Sequence, residues 1–384
     1  MRKPLEQPFE FLLRKMGDKA GASFSEDIVR NWYIARAFVL YKFQNICIKP
    51  DDGKHLHVVI VGDNSLMLSI VRQVALMAHF PNHKEESGCN RTIITIVSDK
   101  GEQLLNTLKQ EEYLCNLVDY CKYTINNQIV RNNSYLDVEI EITTVKPELN
   151  ENDTYEILIN DKEVDSFCDS KLDNEIYFID TSKAQYAARM YSLGTEIDNL
   201  PYQDIHSVER YSMALDVFLY SKMEKELEYI VDKDEWGAED NQMKVLLGLS
   251  NIFCADCFIT KYNSIKPYWE NGEMTEKQAW EKHYLALSKS EHSRWVVEKL
   301  ILGFKPLSNR QRLEDECAVK DKDGRSKYRK GIKRKWESPS HIDLCSFAEL
   351  RRVDPDNMKY DSFLMLGIPH ILRKVGEIPN KLKR

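Results

Sequence analysis

The segment from Leu56 to Val61 is an apolar, β-branched run that ends in Gly62 and passes into a helical pattern from Ser65 to Phe80. A run of this kind reads as a strand buried on both faces, as in a parallel sheet. Parallel neighbours cannot be joined by a tight turn, so strands must alternate with crossover segments. The pattern continues in that way. Leu66, Met67, Ile70, Val74, Met77 and Ala78 mark one helix face, and Pro81 stops the helix. A second strand is predicted over Thr92 to Val97, ending at Asp99, with a helix from Glu102 to Leu117 after it. Leu136 to Val145 alternates, which places Glu139 and Glu141 on a wet face. Tyr155 to Ile159 and Ile176 to Ile179 read as short strands, and Ser182 to Tyr191 as a helix. The predicted fold is α/β, a doubly wound Rossmann-like sheet, followed by a mostly α-helical region.

Residues 1–50 carry helical periodicity, from Ile28 through Trp32, Ala35 and Val39 to Phe43. From about residue 200 strand signals nearly vanish, and 205–232, 240–265, 275–302 and 345–374 read as helices. The expected organisation is a helical segment over 1–50, the α/β domain over 51–200, a helical connector over 201–285 and a final domain over 286–384.

The chain has 384 residues, of which 42% are hydrophobic, enough to build more than one core. A net charge of −7 does not point to nucleic acid or membrane as a general partner. Nine scattered cysteines fit no disulfide framework, and Met1 to Glu6 leads into no apolar signal region. These features predict a soluble, cytoplasmic protein without membrane insertion.

The corner after the first strand reads Gly62-Asp63-Asn64-Ser65-Leu66-Met67. In a dinucleotide site, backbone N–H groups at such a helix start face a pyrophosphate, and glycines let it approach. Only the first glycine of G-x-G-x-x-G is present. Asn64 and Met67 replace the others, crowding the pyrophosphate and pushing the helix off the sheet, and Asp63 adds a negative charge. Asp99 stands where an acid would hold a ribose hydroxyl. Two readings stand: a corner that binds NAD or another nucleotide, and a scaffold without cofactor.

Gly62 through Asn82, with Arg72-Gln73-Val74-Ala75-Leu76-Met77-Ala78-His79-Phe80, and then Arg91 to Asp99, resembles the nucleotide-binding domains of potassium-uptake regulators of the TrkA type. The resemblance is closest to the subgroup fused to ryanodine-receptor-type repeats. It implies an NAD-like ligand acting as a regulatory signal.

A second anchor is Glu291-His292-Ser293-Arg294-Trp295, continuing to Glu298 and Lys299 and ending at Gly303-Phe304. Glu291 and Arg294, and Glu291, Trp295 and Glu298, share a helix face, and Gly303 suits a C-cap. Pro339-Ser340-His341-Ile342-Asp343-Leu344 and an acidic, aromatic helix follow. This order resembles the bacterial ryanodine-receptor-type repeat over about 286–372, and Asn251, Ala255, Asp256 and Lys261 resemble the helix that precedes it. Phe304 stands where that family usually has tryptophan. The resemblance implies a ligand site made by His292, Arg294, Trp295, Glu298, Phe304 and His341. Aromatic rings and arginine suit a planar, charged, nucleotide-derived molecule. The same residues are equally suited to tying helices together.

An insertion over 318–336 interrupts the repeat. Between Lys320 and Lys335 it holds nine Lys or Arg and two acids. Arg329, Lys330, Lys333 and Arg334 could engage phosphate or nucleic acid, or belong to a solvated loop.

Other constellations carry less. Cys254 and Cys257 sit in a helical apolar run, which predicts core packing. Pro81 separates His79 from His83, so they are not a helical metal pair, and His55 and His57 read as a solvated strand edge. No metal site, nucleophile elbow or P-loop is present. The expectation is therefore a non-catalytic ligand sensor. The family context points to ion-transport regulation or prokaryotic anti-phage signalling, with a homodimer expected from related regulators. The alternatives are an NAD-dependent or NAD-consuming enzyme and a nucleic-acid-responsive adaptor.

Overall fold

A computed structural model describes residues 45–144 except 63–64, 111–114 and 133, the strands within 156–180, and residues 253–317 and 340–374. It also describes residues 35, 36, 39, 40, 43, 250, 378 and 379. The chain divides into two compact units that do not follow chain order. One holds Met1–Cys47, Ala184–Leu285 and Ser362–Arg384, and the other holds Ile48–Lys183 and Ala286–Asp361. The boundary at Leu285/Ala286 falls within the helix that carries Glu291, and Glu291 itself is grouped with the sheet.

The sheet unit is built on β1 (Leu56–Val61), α1 (Ser65–Met77), β2 (Thr92–Ser98), α2 (Gly101–Gln110), α3 (Cys115–Tyr120), β3 (Lys122–Ile125), β4 (Gln128–Arg131) and β5 (Val138–Thr144). Then come β6 (Glu156–Ile159), β7 (Lys162–Asp165) and β8 (Glu175–Asp180). Six strands form one sheet in the order β4-β3-β5-β2-β1-β8, while β6 and β7 make a separate antiparallel ribbon. Within the sheet every pairing is parallel except that of β3 with β4. The helix expected over Glu102 to Leu117 is two helices, α2 and α3. The helices expected over 182–191 and 205–232 lie outside the described residues.

One sheet face is apolar: Val58, Ile60, Ile94, Ile96, Val138, Ile140 and Ile142 are all buried. The other carries polar groups, and here the expected wet face is corrected. Glu139 is 6% exposed, Glu141 8% and His57 5%. These groups satisfy one another across strands. The Thr95 hydroxyl donates to Glu141 at 2.8 Å and accepts from His57 Nε2 at 2.7 Å, while Lys122 Nζ donates to both Glu139 oxygens at 2.9 and 3.1 Å. Burial of polar groups is tolerated when each is hydrogen-bonded. Burial, with His55 beside it, lowers the His57 pKa to about 4.

At the end of β1, Gly62 adopts φ +124° and its N–H donates to Val97 at 3.1 Å. A side chain is strained at that φ, so Gly62→Ala is expected to cost roughly 1–3 kcal/mol. Urea denaturation checks this, and an unchanged midpoint would mean that the turn relaxes freely.

The helical region comprises α4 (Phe258–Ile265), α5 (Pro267–Glu270), α6 (Glu276–Ile301), β9 (Lys305–Pro306), α7 (Asn309–Cys317), β10 (Ser340–His341), α8 (Phe347–Val353) and α9 (Pro355–Lys374). Thr275 and Gln278 make a reciprocal capping box before α6: the Gln278 N–H donates to Thr275 Oγ1, and the Thr275 N–H donates to Gln278 Oε1. In the helical unit, Arg36 makes a buried bidentate pair with Asp256 at 2.8 and 2.9 Å. Cys254 and Cys257 are both buried there as free thiols. Among the described residues no helix is long and apolar enough to cross a membrane.

Candidate functional site

Helix α6 ends as its sequence requires. Gly303, at φ +88°, donates to Leu300 O at 3.1 Å, and Phe304 N donates to Lys299 O at 2.9 Å. This paired closure with a left-handed glycine is a Schellman end. It turns the chain into β9, which pairs in parallel with β10, with Pro306 opposite His341. The short pairing returns His341 to α6 across the insertion. Arg329, Lys330, Lys333, Arg334 and the rest of 318–336 lie outside the described residues.

The six residues implied by the repeat come together around two adjoining layers. The inner layer is ionic. Arg294 Nε donates to Glu291 Oε1 at 2.8 Å and Arg294 Nη1 to Glu298 Oε2 at 2.7 Å, while Lys299 Nζ donates to Glu298 Oε1 at 2.7 Å. Glu291 and Arg294 are 1% exposed and Glu298 is 0% exposed. The spacings i, i+3 and i, i+4 bring these groups together on one helix. Burial pushes the Glu298 carboxyl up, but Lys299 and Arg294 outweigh it and hold its pKa below the ordinary value. The guanidinium thus directs two of its nitrogens at carboxylates of its own helix.

The outer layer is aromatic. The Trp295 ring is half-buried. It stacks with His292 at 6.2 Å and 20°, meets His341 edge-on at 5.2 Å, and lies under Lys299 Nζ at 5.5 Å. Lys299 also lies 5.9 Å from the ring of Phe304, which is buried. His292 Nε2 donates to Cys345 O at 2.9 Å, and His292 Nδ1 lies 3.6 Å from Asp361 Oδ2. Burial lowers the His292 pKa to about 4 despite the bond to Cys345. His341 Nδ1 accepts from the Asp343 N–H at 3.2 Å.

Beside this platform is a small cleft, with room for little more than a water molecule, whose lining includes His83, Glu85, Tyr135, Asp137, Lys289 and Ser293. Glu85 accepts from the first amides of α8, Phe347 N at 2.9 Å and Ala348 N at 3.3 Å, and burial raises its pKa. Tyr135 donates to Leu344 O at 3.2 Å. His79 and Asp137 form a buried pair at 2.9 Å behind the cleft. None of the cleft residues was singled out as a ligand contact from sequence. Their meeting joins positions 83–137 to 286–347, and no local motif signals that.

The glycine corner is elsewhere. Gly62 and Asp99 follow β1 and β2, at the carboxyl ends of the parallel strands, and Asp99 is exposed. Glu85, Tyr135 and Asp137 precede β2 and β5, at the amino ends. The two candidate sites therefore occupy opposite ends of one sheet, roughly 20 Å apart for strands of this length. Asp63 and Asn64 lie outside the described residues, as does the side chain of Ser65, while Met67 is buried in α1. Among the described residues no group of three or more His, Cys, Asp or Glu is arranged to hold a metal ion.

No family model, curated protein or solved structure matches the chain.

Proposed function

We propose that the chain is a ligand-sensing regulatory protein of the kind that fuses a Rossmann-like, potassium-uptake-regulator-type domain to a ryanodine-receptor-type repeat. The reading rests on one observation above the others. Of the six repeat residues, Trp295 alone is left half-buried, and it is ringed by His292, His341, Lys299 and a fully buried ion network. A tryptophan face under an ammonium group is a surface on which a nucleotide-derived molecule can stack and place its phosphate. In this account Trp295 and Lys299 touch the ligand, and Arg294, Glu291 and Glu298 position them. The sheet is the scaffold. Ligand binding shifts the protein by its differential affinity for two arrangements, without any chemical step.

Thermal melting of the full chain with NAD and with mononucleotides tests the proposal. A ligand at a hundred times its Kd adds about 2.7 kcal/mol of stability. The expected result is stabilisation by at least one of these compounds in the parent protein and none in Trp295→Ala. Conversion of the compound to a product would overturn the sensor reading in favour of an NAD-consuming enzyme.

A further inference from the structure

The helical unit contains a second group of rings with an unusual polar complement. Tyr262 meets Trp269 edge-on at 5.5 Å and faces Trp280 at 6.5 Å with a tilt of 31°. Tyr262 and Trp280 are buried, while Trp269 is half-buried and opens the group to solvent. Glu276 and Trp280 are four residues apart on α6, so they share a face. Glu276 gives one carboxylate oxygen to Arg373. Its other oxygen, Oε1, is buried with no hydrogen-bond partner, and so is Trp280 Nε1. Burial first, and the Glu276 charge next, push the Tyr262 pKa up to about 12.

A buried acceptor and a buried donor left without partners are costly, and each calls for a partner. Together they call for one molecule that donates to Glu276 Oε1 and accepts from Trp280 Nε1. A quaternary ammonium would suit the rings and the carboxylate but would leave the indole N–H unmet. A planar group with neighbouring N–H donor and acceptor atoms meets both, and its faces suit Tyr262 and Trp269.

We propose that Glu276, Trp280, Tyr262 and Trp269 form a second ligand site, for a planar molecule with an amide- or amidine-type edge, such as a primary carboxamide or a nucleobase. The site is independent of the Trp295 platform and does not rest on the function proposed above.

Saturation-transfer NMR on the full chain, with nicotinamide, cytosine and tetramethylammonium as probes, tests it. Nicotinamide or cytosine is expected to bind, with tetramethylammonium at least tenfold weaker. Trp280→Phe keeps a ring and removes the N–H, so it is expected to weaken binding at least tenfold. Because that N–H has no partner in the free protein, the variant's melting temperature should stay close to the parent's. Trp269→Leu, at the half-buried wall, provides a second arm if the first variant does not fold, and it too should weaken binding. Trp295→Ala should leave this binding unchanged. Failure of both planar probes to bind, which would leave the site to a bridging water, overturns the proposal. So does preference for tetramethylammonium, or undiminished binding by a folded Trp280→Phe or by Trp269→Leu.

Discussion

Arg294→Ala is expected to lower the stability of the sheet unit by roughly 3–5 kcal/mol, because it removes the guanidinium that two buried carboxylates share. Glu291 is 1% exposed and Glu298 0% exposed, so water cannot replace the guanidinium. Lys299 keeps its bond to one oxygen of Glu298 in the variant. Domains have about 5–15 kcal/mol of total stability, so this loss would leave a large unfolded fraction at 37 °C. Chemical denaturation of Arg294→Ala beside the parent gives the value directly. A variant replacing Glu291, Arg294, Glu298 and Lys299 together with apolar residues of similar size is expected to be less destabilised than the single change, since none of these four charges is then left buried without its partner. A single variant that melts within about 0.5 kcal/mol of the parent, the range of ordinary surface changes, would show that the network is solvated.

The second large effect is acid destabilisation well before the carboxylates titrate. His292 and His57 both have folded pKa values of about 4 against an ordinary 6.5. Both are held neutral by burial. Between these values the unfolded chain binds protons that the folded chain refuses, so stability falls as pH falls from about 6.5 to about 4. Above 6.5 neither group contributes a pH slope. At 1.36 kcal/mol per pKa unit, each histidine accounts for about 3 kcal/mol across the window. Glu298, held low by Lys299 and Arg294, adds a further loss in the same direction as pH falls below its ordinary value of 4.5. Melting curves from pH 8 to pH 4 should show a steep decline starting near 6.5. His292→Gln keeps an N–H donor for Cys345 and cannot titrate, so it should remove about half of the decline. A profile unchanged by that substitution would mean that His292 is protonated without strain in the folded chain.

Much of the architecture is legible in local pattern. β1, α1, β2 and β5 follow from apolar runs and helical spacing, and Gly303 from its place after α6. The hairpin β3–β4 went unread, although Asn126 and Asn127 connect the two strands. Both adopt positive φ, at 46° and 62°, the conformation that a two-residue hairpin turn demands and that asparagine tolerates. The polar sheet face misled for a different reason. Alternation along β5 correctly set Glu139 and Glu141 apart from Val138, Ile140 and Ile142. It could not show that Thr95 and Lys122, from neighbouring strands, satisfy them out of water. Arg294 shows the same limit. Its spacing to Glu291 and Glu298 was readable, but its near-complete burial is a property of the packing. The cleft was least legible, since His83 and Glu85 acquire meaning only beside Lys289 and Phe347.

Native mass spectrometry of the freshly purified full chain tests the central claim most directly. The account requires a nucleotide-derived molecule to be retained, or taken up from added NAD or mononucleotide, by the parent protein, recovered unchanged, and absent from folded Trp295→Ala. Retention of the same molecule by Trp295→Ala at the parent level would contradict it.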